Sequence, residues 1–193
     1  MKTLKMIAAV VAIVSTTTLF AQEMKVSLEK SSLQWTGKKV TGEHSGYINL
    51  KEAKLKMKDD KIVNGKFVID MASITNTDLT DAEYNQKLVG HLKSDDFFGV
   101  AKFPTAELVI TESSAIANNQ MTVKGNLTIK GITKPIEFTA TKMDNSLSAK
   151  IIIDRAKYDV RYGSGSFFDG LGDKMIYDDF EIIATLVVTD QAI

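Results

Sequence analysis

The sequence predicts an all-β chain, eight or nine antiparallel strands forming a barrel or a sandwich, with one inserted helix. Three observations carry that expectation. Apolar and polar residues alternate with a period of two over most of the chain, as in strands with one face buried and one in water. The pairs Asp59-Asp60, Asn118-Asn119 and Asp144-Asn145 interrupt the alternation at short spacing, which favours an antiparallel layout over βαβ units. Only one stretch, Thr80 to Leu92, repeats with helical spacing instead.

Ahead of the first strand, Lys2 and Lys5 precede an apolar run from Met6 to Val14, and Leu19-Phe20-Ala21 ends in a small residue. This is the arrangement of a secretory signal peptide cut before Gln22, and the run is shorter than the roughly 20 apolar residues of a membrane helix. Residues 1–21 are therefore expected to be a signal peptide and residues 22–193 a single exported domain. The chain has no cysteine, which removes disulfides, a lipid anchor on cysteine, thiol catalysis and cysteine-ligated metal. Stability must come from the core, which a domain of this size can bury. The 24 basic residues balance 24 acidic ones, and losing Lys2 and Lys5 leaves a slight acidic excess. Such a surface offers nothing to a phosphate backbone, so nucleic acid is not an expected partner.

The strands follow in order. Val26 to Leu28 and Ser32 to Lys39 read as two strands, the second with Leu33, Trp35 and Gly37 on one face. Gly42-Glu43-His44-Ser45-Gly46 connects to Tyr47–Leu50. Leu55 and Met57 alternate with lysines up to the Asp59-Asp60 turn, and Phe67, Ile69 and Met71 share the face of the next strand. Thr80-Asp81-Ala82-Glu83 fits a capping box, after which Tyr84, Leu88 and Leu92 recur every four residues on one helical face. Beyond Pro104, Leu108 and Ile110 share a face. Met121, Val123, Gly125, Leu127 and Ile129 form the clearest alternation. Gly131 to Pro135 reads as a turn, and Ile136, Phe138 and Ala140 lead to Asp144-Asn145. Leu147, Ala149, Ile151 and Ile153 follow, and Phe180 to Val188 closes the set, with Ile183 and Val187 as a second apolar side for the helix.

The segment Leu88 to Phe98 with Phe103-Pro104 concentrates three of the nine phenylalanines and one of the two histidines in a connection. Aromatic surface of that density in a connecting segment reads as a lid or plug over an apolar cavity. An eight-stranded barrel is just wide enough to be filled by side chains or to hold one small ligand, and the alternation leaves both open.

The blocks Ser32-Leu33-Gln34-Trp35-Thr36-Gly37-Lys38, Gly42-Glu43-His44-Ser45-Gly46, Phe67 to Met71, Leu88 to Phe98, Lys102-Phe103-Pro104, Gly125 to Pro135, Ile153-Asp154-Arg155 and Asp178 occur in order along the chain. As a set they resemble the YceI-like family of exported bacterial lipid-binding proteins, over essentially the whole domain. The resemblance implies an extended lipocalin-like antiparallel eight-stranded β-barrel with one inserted helix. Its hollow interior would hold a long-chain apolar molecule of polyisoprenoid, isoprenoid quinone or fatty amide type. It also implies a periplasmic location, and together with an exposed β edge it makes a homodimer reasonable. The Gly/Ser-rich loop from Tyr158 to Lys174 departs from the family pattern and is expected to reshape the pocket mouth.

Candidate ligand-contacting residues are Trp35, Phe67, Ile69, Leu127, Ile129, Phe138 and Ile151, which point inward by alternation, with Phe97 and Phe98 from the aromatic segment. His44 and His91 are expected as polar tips at the cavity mouth, placed to orient a head group. No catalytic residue, metal or cofactor is assigned. Zinc catalysis takes three protein ligands, and two histidines lie in separate blocks without His-x-x-x-His spacing. Asp169 to Asp173 lacks calcium-loop spacing, and Gly163-Ser164-Gly165-Ser166 is neither a nucleophile elbow nor a phosphate loop. The expected function is a carrier for a long-chain apolar molecule. The alternatives are an enzyme acting on such a lipid, with a histidine bonded to a serine and a carboxylate, and a ligand-free interaction module with a filled interior.

Overall fold

The structure is a computed structural model describing residues 21–190, so the expected signal peptide, Ala21 apart, lies outside the described residues. Eight strands run β1 (Gln22–Lys39), β2 (Gly42–Lys58), β3 (Lys61–Asp70), β4 (Thr105–Ser113), β5 (Gln120–Ile129), β6 (Ile132–Met143), β7 (Ser146–Asp154) and β8 (Ile176–Asp190), with the helix α1 at Ala82–Lys93. Each strand pairs antiparallel with the next, and β8 returns to β1 to close the barrel. This is the all-β barrel with one inserted helix that the sequence predicts.

The two ends of the barrel differ. Tight turns at Asp59-Asp60, Asn118-Asn119 and Asp144 close one end. Their residues adopt left-handed φ between 47° and 62°, a conformation Asp and Asn tolerate because their short polar side chains bond locally. The other end receives both long connections, Met71–Pro104 between β3 and β4 and Arg155–Met175 between β7 and β8. Met71 N–H donates to Pro104 O at 3.1 Å, tying the first connection at its base.

Local geometry departs from the sequence reading in six places. Val26 to Lys39 is one strand: a bulge between Ser27 and Ser32 absorbs Leu28 to Ser31, and the Ser31 hydroxyl donates to Ser27 O while accepting Val187 N–H at 3.0 Å. A side chain thus stands in for the interrupted ladder. Gly42 to Gly46 lies within β2. The turn near Gly131 is only Lys130-Gly131, and Pro135 sits inside β6 opposite Asn126. The helix cap is Asp81, whose carboxylate accepts the N–H of Glu83 and Tyr84; Thr80 stays outside. Tyr84 is 64% exposed, because four-residue steps drift about 40° each around a 3.6-residue helix, and Asn85, Leu88, Val89 and Leu92 form the inner face. On β8, Ile183 faces water at 42% exposure rather than packing under the helix.

Inward residues form two apolar clusters, one toward each end. Leu33, Trp35, Ile48, Leu92, Phe97 and Phe98 belong to the one beneath the long connections. Leu55, Ile62, Phe67, Met121, Val123 and Leu147 belong to the one above the tight turns. Leu50, Leu108, Phe138 and Ala149 pack against both.

Candidate functional site

Between and within these clusters lies a cavity of about 210 Å³. A water needs roughly 10–15 Å³, so this volume is far beyond a packing void. Every strand contributes: Trp35 from β1, Ile48 from β2, Phe67 and Ile69 from β3, Leu108 from β4, Leu127 and Ile129 from β5, Phe138 from β6, Ile151 from β7 and Ile182 from β8. Phe97, Phe98 and Leu92 cover the end beneath the long connections, joined by Ile74 from the strap that precedes α1. The lid-like role expected of the Leu88–Phe98 segment matches this position.

The hollow has a residue-level cause. Ala140, Ala149 and Ala184 stand side by side in register on β6, β7 and β8, all on the cavity wall. Three adjacent strands thus present methyl groups at one level, where larger side chains would meet in the middle. The inward phase of these alanines is visible in the sequence; their alignment into one row depends on register and is not.

All nine expected apolar residues lie on the cavity wall: Trp35, Phe67, Ile69, Phe97, Phe98, Leu127, Ile129, Phe138 and Ile151. The two histidines do not. His44, near the start of β2 and opposite Gly37, has its Nδ1 2.7 Å from Asp78 Oδ2 in the strap before α1, where the same carboxylate accepts Ser45 N–H at 2.7 Å. Burial pushes Asp78 up, but the bonds from Ser45, His44 and Asn76 outweigh it and hold the carboxyl below its ordinary value. His91 packs edge-on against Tyr162, with ring centres 4.3 Å apart, and against Phe97 at 5.7 Å. Neither ring is on the cavity wall, and each is tied to a long connection at the capped end. His44 pairs with a carboxylate but no serine hydroxyl reaches either ring among the described bonds.

The charged group on the cavity wall is Arg155, a residue the family-like block contains but to which the sequence reading gave no role. Its guanidinium is 2% exposed and donates to four carbonyls, Val160 and Tyr162 from Nη1, Ile176 from Nη2 and Tyr177 from Nε, at 2.8–3.1 Å. Asp178 Oδ1 lies 3.4 Å from Nη2. Burial draws Arg155 down, and Asp178 and Asp154 offset part of that. Asp178 is itself raised by burial, but the Ser164 and Ser166 hydroxyls and Arg155 leave it lowered overall. Arg155 thus fastens the Tyr158–Lys174 loop, whose Val160 and Ser164 are fully buried while Phe167 and Phe168 face outward. The remaining polar atoms on the wall belong to Ser148, Tyr177 and the Trp35 indole, and the last donates to Thr75 O at 2.9 Å. The chemistry available to an occupant is apolar contact over nearly the whole surface.

No group of three or more His, Cys, Asp or Glu able to hold a metal occurs among the described residues, and no described helix is long and apolar enough to cross a membrane.

Comparison with known proteins places this geometry. The YceI-like domain family matches residues 24–188. A UPF0312 protein of Shewanella denitrificans is 34% identical over 85 residues, 40% of this chain and 44% of that protein. Protein YceI of Salmonella arizonae is 36% identical over 75 residues, 38% of each chain. The aligned stretches thus span less than half of these curated relatives. Among solved structures, Burkholderia cenocepacia BcnA superposes with a TM-score of 0.67 at 25% identity, covering 86% of this chain and 100% of that one. A polyisoprenoid binding domain from Saccharophagus degradans gives 0.61 at 14% identity, covering 89% and 100%, a likeness of fold alone. The family match runs from the first residues of β1 to near the end of β8, and the chain belongs to the YceI-like family.

Proposed function

We propose that this protein is an exported, periplasmic carrier that holds a long-chain apolar molecule in its barrel and binds it without transforming it. The observation that carries the reading is the cavity wall: about 210 Å³ enclosed by aliphatic and aromatic side chains from all eight strands, under a Phe97-Phe98 cap. Burying a CH₂ contributes about 0.8 kcal/mol, so ten carbons offer roughly 8 kcal/mol, enough for micromolar affinity before ordering costs. Affinity then needs no polar contact, in keeping with a wall that offers few. An isoprenoid chain is the first candidate, since a neighbour of the same fold is named for polyisoprenoid binding; a fatty amide or quinone tail meets the same wall.

Native mass spectrometry of protein expressed with its leader and purified without detergent tests the reading. The expected result is a co-purifying apolar molecule that organic extraction removes. Protein that emerges free of any adduct, and that takes up neither a labelled isoprenoid nor a labelled fatty chain, would overturn it.

A further inference from the structure

We propose that the apolar chain enters and leaves sideways, through a slot between β6 and β7, rather than through the capped end. The inference rests on the carrier reading and adds the route.

The barrel seam is uneven. β6 pairs with β5 along ten residue pairs, from Gln120↔Thr141 to Ile129↔Ile132, and β7 pairs with β8 over its whole length. Between β6 and β7 the ladder holds only from Met143↔Ser146 to Ala140↔Ala149. From there to the capped end, Ile132–Thr139 and Lys150–Asp154 run without a ladder between them. Ile136 and Phe138 on one side of this gap and Ile151 and Ile153 on the other all line the cavity. The gap therefore opens on the binding space, not on a packed core.

The gap is written into the strand. Ile129 and Ile132 flank the two-residue Lys130-Gly131 turn, so they exchange both backbone bonds, and even-numbered residues of β6 bond to β5. Odd-numbered residues face β7, in phase with Met143↔Ser146 and Thr141↔Ser148 at the other end. Pro135 is odd-numbered. Its missing N–H falls on the β7 side, opposite Asp154 if the register of Ala140↔Ala149 continued, so the far end of the gap lacks a donor with which to pair. Thr133, Glu137 and Ile152, which face the gap, have no ladder partner across it. Both ends of the slot are held: by the Ala140↔Ala149 pair, and by Lys130 Nζ, which donates to Asp159 O at 2.9 Å across the capped end. The capped end, in contrast, is fastened by the four Arg155 bonds and the buried Phe97 and Phe98.

The test uses the absence of native cysteine. Glu137 and Ile152 face each other where the β6–β7 register would continue, so a Glu137→Cys/Ile152→Cys pair staples the slot on oxidation. The probe is an anthracene-labelled sixteen-carbon amide followed by stopped-flow fluorescence. Oxidation should slow both uptake and release at least about tenfold, as closing a gate does, leave the equilibrium affinity nearly unchanged, and be reversed by dithiothreitol. Unchanged rates in the oxidised protein would overturn the proposal. Should the disulfide not close, a polyethylene glycol maleimide on Glu137→Cys alone replaces it, with the same adduct on Gln86→Cys, exposed on α1, for comparison. Slowing at position 137 but not 86 supports the slot; slowing at 86 alone, or at neither, overturns it and leaves the carrier reading standing. Failure of the unmodified protein to bind the probe or any extracted lipid would remove the carrier reading, and the slot with it.

Discussion

The guanidinium carbon of Arg155 lies 5.4 Å from the centre of the Phe97 ring. Arg155 opens the β7–β8 connection and Phe97 follows α1 in the β3–β4 connection, so this contact joins the two long segments over the cavity. A buried cation against an aromatic face is favourable when both are desolvated. Its main work is done by the other side of the guanidinium, which gathers four carbonyls of the loop. The cap over the cavity is therefore a polar knot with an apolar underside.

Replacing Arg155 with Met should cost about 3–5 kcal/mol, because it strips four carbonyls of their donor and leaves the Asp178 carboxylate without its cation. Arg155→Lys should recover only part, since one ammonium cannot reproduce the planar fork. Phe97→Leu, which keeps the knot and loses ring area, should cost clearly less than Arg155→Met. Urea unfolding with an unchanged slope separates these effects from a change in compactness.

Filling the alanine row should uncouple binding from stability. Ala184 faces Leu33 and Ala149 across neighbouring strands, and its methyl borders the cavity. Ala184→Phe places a ring in that space rather than in a packed core, so the ligand-free protein should not lose stability. Uptake of a labelled sixteen-carbon chain should fall at least about tenfold, the equivalent of roughly 1.4 kcal/mol. Thermal unfolding of delipidated protein, beside a binding titration, measures both. A drop in stability with binding retained would mean the space is not where the chain lies.

The inward set was legible in the sequence because a period of two is a local property: Phe67, Ile69, Leu127, Ile129 and Ile151 needed only their own strand to be placed. Phe97 and Phe98 were legible from concentration, as aromatics with no strand to belong to. The histidines were not, because their partners are distant in sequence: His44 meets Asp78, 34 positions on, and His91 meets Tyr162, carried by the other long connection. Pro135 was misplaced for a related reason. A proline four residues after Gly131 signals a turn, and only the strand pairing shows that it lies inside β6, opposite Asn126 on β5 and without a partner on β7. Arg155 lay in a recognised block, but a guanidinium that binds four backbone carbonyls leaves no pattern in side-chain types.

Asp78 makes stability depend on acid. Its folded pKa is lowered, so the stabilisation is complete above the ordinary value of 3.8 and is lost as pH falls through the lower folded value. Asp178, also lowered, contributes with the same sign. Asp78→Asn should cost about 1 kcal/mol near neutral pH through the weakened Ser45 and His44 bonds, and should shrink the fall in stability below that ordinary value. Urea midpoints across the acid range measure the difference. An identical acid limb in Asp78→Asn and the parent chain would place the effect elsewhere.

Gly46 holds the strap in place by having no side chain. It pairs with Trp35 across β1 and β2, and a Cβ added there would lie 1.9 Å from Thr75 O. That oxygen accepts the Trp35 indole N–H at 2.9 Å. On either side, Thr75 N–H donates to Tyr47 O and Thr77 N–H to Ser45 O, both at 2.9 Å. Since the clash is with backbone, Gly46→Ala must lift the strap, break the indole bond and draw Ile74 away from the cavity. Overpacking costs about 1–3 kcal/mol and a buried donor left unpaired a similar amount, so the loss should reach at least about 2 kcal/mol. Trp35 is the single tryptophan, and its emission should shift to the red as water reaches the indole. Gly90→Ala makes the contrast. A Cβ there meets no atom within 4 Å, and the helix should gain about 0.5–1 kcal/mol with the Trp35 spectrum unmoved.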